Sequence, residues 1–151
     1  MPTAVLETPV GHLAVTERDG WIVKLDWSAK AEGEPTPLLH EALRQLRAYF
    51  DGELKDFDLP LKPAGDEFQQ AVCKAMSAIP FGQTRTYGEI AEDLGTYGQP
   101  VGQACAANSI PVIIPCHRVL GANGLGGFSA AGGVETKIAL LRHENAYPYL
   151  L

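Results

Sequence analysis

A proline-bearing segment, Leu59-Pro60-Leu61-Lys62-Pro63, stands between two incompatible apolar rhythms and constrains the fold more than any other feature of the chain. Proline fixes its own φ and lacks an amide hydrogen, so neither a helix nor a central strand runs through such a stretch. Before it, residues 3–27 read as a β-meander: Ala4-Val5-Leu6-Glu7, then His12-Leu13-Ala14-Val15-Thr16, then Trp21 to Trp27 with Trp21, Val23, Leu25 and Trp27 on one face. Thr8-Pro9-Val10-Gly11 and Arg18-Asp19-Gly20 carry the turn chemistry between them. A polar linker over 31–37 precedes a helix with Leu39, Leu43, Leu46 and Phe50 at helical spacing, stopped by Asp51-Gly52, and residues 53–64 supply a short strand and a linker. The chain is thus expected to be α+β, with a small α+β domain over 1–64 and a helical domain over 65–151.

After the prolines the pattern is helical. Asp66 is a predicted N-cap with Gln69 three positions on, and Phe68, Val72, Ala75, Met76 and Ile79 form one apolar face ended by Pro80-Phe81-Gly82. Thr86 and Glu89 repeat the capping-box spacing, Ile90, Ala91 and Leu94 give the apolar side, and Gly95 stands where a helix ends in a left-handed residue. A third helix is expected from near Gln99, with Pro100 in its first turn, to Asn108. Two short helices joined by a tight glycine turn predict a helix-turn-helix. Val119-Leu120, linked through Gly121-Ala122-Asn123-Gly124 to Leu125–Phe128, predicts a hairpin or wing, and a last helix over 134–144 turns Ile138 and Leu141 inward.

Composition narrows the function. The three cysteines, Cys73, Cys105 and Cys116, form no close pair, and the histidines at 12, 40, 117 and 143 have no ligand spacing, so neither a disulfide framework nor a structural metal is expected. No run is long and apolar enough to span a bilayer, and Met1-Pro2-Thr3-Ala4-Val5 lacks the features of a signal peptide, which predicts a cytoplasmic protein. The net charge is −6, with −4 in residues 1–64 and −2 in residues 65–151. Any nucleic-acid binding must therefore rest on a local face.

The chemistry concentrates in Ile114-Pro115-Cys116-His117-Arg118-Val119. A reactive thiol needs a nearby base or positive charge to lower its pKa, which makes Cys116 the candidate nucleophile; ordinary core packing explains a buried cysteine equally well. In an extended segment Cys116 and His117 point to opposite sides, so water or a local turn must connect them. The third helix, Val101-Gly102-Gln103-Ala104-Cys105-Ala106-Ala107, has no charge and few large side chains. It is either a tightly packed internal helix or a surface that lets backbone approach a groove closely.

The run Asn108-Ser109-Ile110-Pro111-Val112-Ile113-Ile114-Pro115-Cys116-His117-Arg118-Val119 resembles the active-site signature of the O6-alkylguanine-DNA alkyltransferases. Phe68-Gln69-Gln70-Ala71-Val72, Ile79-Pro80-Phe81-Gly82, Thr86-Tyr87-Gly88-Glu89-Ile90-Ala91, Gly132-Gly133 before Lys137, and Leu140-Leu141-Arg142-His143-Glu144 fall in the family's order. The resemblance implies an N-terminal ribonuclease H-like domain and a C-terminal winged helix-turn-helix-like domain. It implies direct, stoichiometric DNA repair without a cofactor, in which Cys116 takes the alkyl group from guanine O6 and the protein is spent. His117, with Glu144 behind it, resembles a water-bridged relay; Tyr87 matches a proton donor to the leaving purine, Asn108 a hinge, and Lys137 a lysine beside the active-site loop. Backbone groups of Cys116, Val119 and Ser129 would read the guanine edge, while Gln99, Val101, Gly102, Ala104 and Cys105 fall on the DNA-binding helix. The implied partner is double-stranded DNA containing O6-alkylguanine, bound by a monomer in the minor groove with the base flipped out, near the nucleoid if the source is bacterial.

Two departures stand out. Gln99-Pro100 replaces the arginine that most members place before Val-Gly, and Phe128 stands where a tyrosine is common, followed by the extra Ala130-Ala131. Competing readings are a non-catalytic lesion sensor, in which the cysteine is replaced, a winged-helix regulator, and a turning-over cysteine hydrolase.

Overall fold

Alternating apolar residues build a three-stranded antiparallel sheet in the order β1 (Thr3–Thr8), β2 (Gly11–Arg18), β3 (Trp21–Asp26). The computed structural model describes residues 1–128 and 132–146, and these fall into two compact units that part between Pro63 and Ala64. In β3 strict alternation fails: Ile22 and Leu25 are buried while Trp21 is 43% exposed. Pairing steps from Thr16–Lys24 to Glu17–Ile22, so Val23 is the extra residue of a bulge and the strand changes phase there.

Helix α1 (Pro37–Phe50) starts at Thr36, whose hydroxyl accepts the Leu39 amide, and packs on β1 and β2. Its buried face is Leu39, Ala42, Gln45, Leu46 and Tyr49, so the expected Leu43 and Phe50 lie at its edge. Gln45 turns inward because its amide replaces a backbone partner: Nε2 donates to Asp58 O at 3.0 Å and Oε1 accepts from Asp58 N at 2.8 Å. Further on, Leu61 makes a single bridge to Ile22, in which Pro60 contributes only its carbonyl and its missing N–H costs nothing.

The second unit comprises α2 (Glu67–Ser77), β4 (Arg85–Thr86), α3 (Tyr87–Leu94), α4 (Gly98–Ala106), a 3-10 turn (Cys116–Arg118), β5 (Val119–Leu120) and α5 (Gly133–His143). The two capping pairs behave differently. Thr86 and Glu89 form a complete box, whereas Asp66 accepts the Gln69 amide and the Gln69 side chain instead donates to Ala104 O at 2.8 Å, tying α2 to α4. Gly95 ends α3 at φ 68°, and α3 and α4 pack as the helix-turn-helix. In place of the expected hairpin, β5 pairs in parallel with β4, and Leu125–Phe128 takes no strand after the tight Gly121–Gly124 bridge. Leu141 packs on Leu120 and Ala146, with Ile138 partly buried against them.

Candidate active site

Every residue from Ile110 to Leu120 is buried, so the loop after α4 is part of the core of its unit. Asn108 sets its course: Nδ2 donates to Ile114 O at 2.8 Å while Oδ1 accepts from Ile110 N at 3.0 Å. Within that clamp Val112 is held at φ 73°, a conformation a β-branched residue adopts only where its surroundings enforce it, at a cost of roughly 1–3 kcal/mol. The segment expected to be extended at Cys116 is instead a 3-10 turn, in which successive side chains diverge by about 120°. Cys116 thereby faces a cavity while His117 enters the interior.

His117 is fully buried, and its Nε2 lies 2.8 Å from Glu144 Oε2. Arg118 holds the same carboxylate with two bonds, Nε to Oε1 at 2.8 Å and Nη2 to Oε2 at 2.9 Å, and anchors itself through Nη1 to Ile79 O at 2.6 Å. Burial lowers the His117 pKa, against the opposing pull of the Glu144 hydrogen bond, so the ring rests neutral. A carboxylate only accepts, hence Nε2 carries the proton and Nδ1 presents a lone pair. Nδ1 meets no hydrogen-bonding partner among the described residues.

A cavity of about 400 Å³ opens over the thiol, lined by Tyr87, Gly102, Cys105, Ala106, Cys116, Gly127 and Phe128. Burial pushes the Cys116 thiol up to about 11, partly offset by the Asn108 amide and the Lys137 charge. Burial likewise raises Cys105 to about 12 and raises Tyr87, whose phenol stays protonated. Lys137 is fully buried, donates to Val119 O at 2.7 Å and Gly127 O at 3.1 Å, and stands 5.7 Å from the Tyr87 ring centre; burial brings its pKa down to about 8. Gly126, at φ 73°, leaves room for Tyr87, because a Cβ there would sit 2.8 Å from the ring.

Of the residues singled out by sequence, Cys116, Tyr87, Gly102 and Cys105 line the cavity, Lys137 bonds to Gly127 of its wall and to Val119, and Asn108, His117 and Glu144 hold the segment that carries the thiol. On α4, Val101 and Ala104 face inward and Gln99 is exposed, while Ser129 lies outside the described residues. Sequence reasoning missed Gln69, Ala106, Gly126 and Gly127; the paired glycines 126 and 127 were the available signal for the last two.

These parts set a cavity-facing cysteine thiol, backed by a buried histidine and carboxylate, into a helix-turn-helix scaffold. Residues 67–146 match the family model "6-O-methylguanine DNA methyltransferase, DNA binding domain", and residues 1–63 match its "ribonuclease-like domain". A methylated-DNA–protein-cysteine methyltransferase of Mycobacterium bovis is 50% identical over 151 residues, covering 93% of this chain and 90% of that one. Another, of Methanosarcina acetivorans, is 40% identical over 154 residues, covering 95% and 97%. The crystal structure of Mycobacterium tuberculosis OGT in complex with DNA superposes with a TM-score of 0.83 at 40% identity, covering 94% of this chain and 91% of that one. The chain belongs to the 6-O-methylguanine DNA methyltransferase family.

Proposed function

We propose that this chain repairs DNA directly, moving an alkyl group, methyl in the first instance, from O6 of guanine onto Cys116 Sγ once per protein molecule. The observation that carries this reading is the cavity thiol beside an imidazole whose tautomer is fixed by an ion-paired carboxylate. Burial pushes the Cys116 pKa up to about 11, so the thiol is protonated at pH 7 and attack needs the proton removed as the substrate arrives. His117 Nδ1 takes it, through a bridging water, and Glu144 holds the ring in place. The C–O bond breaks as the C–S bond forms in line, and Tyr87 donates a proton to the departing guanine and regains one from the relay. The thioether has no easily hydrolysed bond, so the protein is consumed and no cofactor enters.

The partner is double-stranded DNA, which the DNA complex of the mycobacterial neighbour supports. The O6 substituent is unreachable inside the stack, so the base flips into the cavity, at a cost of a few kcal/mol. Small residues on α4 let its backbone approach the minor groove, and backbone groups at Cys116 and Val119 read the guanine edge. The protein acts as a monomer in the cytoplasm. The test is an oligonucleotide duplex containing O6-methylguanine, read by intact-protein mass. One added methyl mapped to Cys116, with one equivalent of repaired base, is the expected result, and Cys116→Ser gains none. Repeated turnover, or binding without a mass change, overturns the reading.

A further inference from the structure

Helix α4 begins in an unusual way. Its N-cap position, where Ser, Thr, Asp or Asn would accept a backbone amide, holds Tyr97, whose side chain makes no capping hydrogen bond. Tyr97 is 80% exposed, the most exposed of the large hydrophobic side chains described. The next residue, Gly98, lies against Tyr87: a Cβ there would stand 4.0 Å from Tyr87 Cβ, and Tyr87 lines the cavity over Cys116. The exposed ring therefore stands one residue from the wall of the site, with exposed Gln99 beyond it.

The cations of this unit offer phosphate little. Of five Lys and Arg in residues 65–151, Arg118 and Lys137 are buried, Arg85 is engaged with Asp93 at 2.7 Å, and the exposed Lys74 and Arg142 lie on α2 and α5 rather than on α4. Helix α4 carries no charge of its own, and Gln99 brings none to the duplex. A surface this poor in cations has to hold a distorted duplex by other contacts, and an aromatic face stacks on any base regardless of sequence.

We propose that Tyr97 is a positioning residue that stacks its ring on the bases beside the extruded guanine and so holds the base-flipped duplex open. The inference rests on the proposed alkyl transfer from DNA. Tyr97 supplies the wedge at the start of α4, and Gln99 then hydrogen-bonds within the gap.

The test compares Tyr97→Ala, Tyr97→Phe and wild type in single-turnover methyl transfer from duplex DNA, with iodoacetamide alkylation of Cys116, mapped by peptide mass, as the measure of the thiol itself. Tyr97→Ala is expected to slow transfer from DNA on the order of tenfold or more, to leave iodoacetamide alkylation unchanged, and to reduce the fluorescence rise of 2-aminopurine placed next to the lesion. Tyr97→Phe keeps the ring and restores transfer and the 2-aminopurine signal to wild-type values, with iodoacetamide alkylation again unchanged. If Tyr97→Ala transfers methyl and unstacks 2-aminopurine like wild type, the inference fails while the alkyl transfer stands. If wild type gains no methyl from DNA, the underlying reading fails first.

Discussion

The loop Ile110–Leu120 and helix α4 before it are both built from small or apolar residues, yet the loop is buried throughout while α4 leaves Gln99, Gln103 and Ala106 exposed. The loop contains strained Val112, is clamped by the Asn108 side chain just before it, and places His117 and Arg118 in a buried array with Glu144 at the end of α5. Helix α4 has none of these: no side-chain cap, no charge, and two glycines beside Tyr87. The difference separates two tasks. Reactivity requires that each polar atom near the thiol have one place, whereas approach to a polymer requires a surface with little standing on it.

The largest effect comes from breaking the loop's support. Glu144→Gln keeps a hydrogen bond to His117 but leaves the buried Arg118 guanidinium without its counter-charge, which typically costs about 3–5 kcal/mol. It also frees the imidazole to exchange tautomers, so Cys116 should alkylate more slowly at temperatures where the variant is still folded. Urea unfolding and iodoacetamide kinetics check the two consequences separately. Near-wild-type stability would mean that the His117–Arg118–Glu144 array does not hold the loop in place.

Lys137 sharpens the same contrast through pH. Its folded pKa of about 8 lies below the ordinary lysine value of 10.5, so between these values the unfolded chain binds the extra proton and stability rises with pH. Cys116 works in the opposite sense: its folded pKa of about 11 exceeds 9.0, the unfolded thiol loses its proton first, and stability falls from pH 9 to 11. Lys137 is thus the group of this pair acting between pH 8 and 9, where it contributes about 1 kcal/mol at most. Urea titrations should show wild type gaining over that unit relative to Lys137→Met. Equal slopes would show that Lys137 is solvated rather than buried against Val119 and Gly127.

How far these properties could be read beforehand differs between the two regions as well. The helices of the second unit followed from caps and glycine stops at Asp66, Thr86 and Gly95, because those signals act within a few residues. The Cys116–Glu144 constellation came from motif resemblance, and no local rule joins two residues 27–28 apart in sequence. Where pairing partners are distant, local reading failed: the Val23 bulge shifted the buried face of β3, and β5 paired with β4 rather than with residues 125–128. At Cys116 the sequence left water or a local turn open, and the 3-10 turn follows Pro115 and the Asn108 clamp in an otherwise strand-like apolar run.

The smallest effect tests whether α4 sacrifices stability for access. A Cβ at Gly102 would meet Tyr87 Cδ1 at 3.9 Å, an ordinary contact, and its backbone lies within the helix, so Gly102→Ala strains nothing. Removing a mid-helix glycine should stabilise the unit by about 0.5–1 kcal/mol, since alanine loses less backbone entropy on folding. The same methyl stands on the cavity wall and, in the proposed binding mode, on the face of α4 turned to DNA. Single-turnover methyl transfer from duplex DNA should therefore slow while the unfolding midpoint rises. A variant that is both more stable and equally fast would show that the glycine serves neither the groove nor the flipped base, and that small residues on α4 only let it pack against Tyr87.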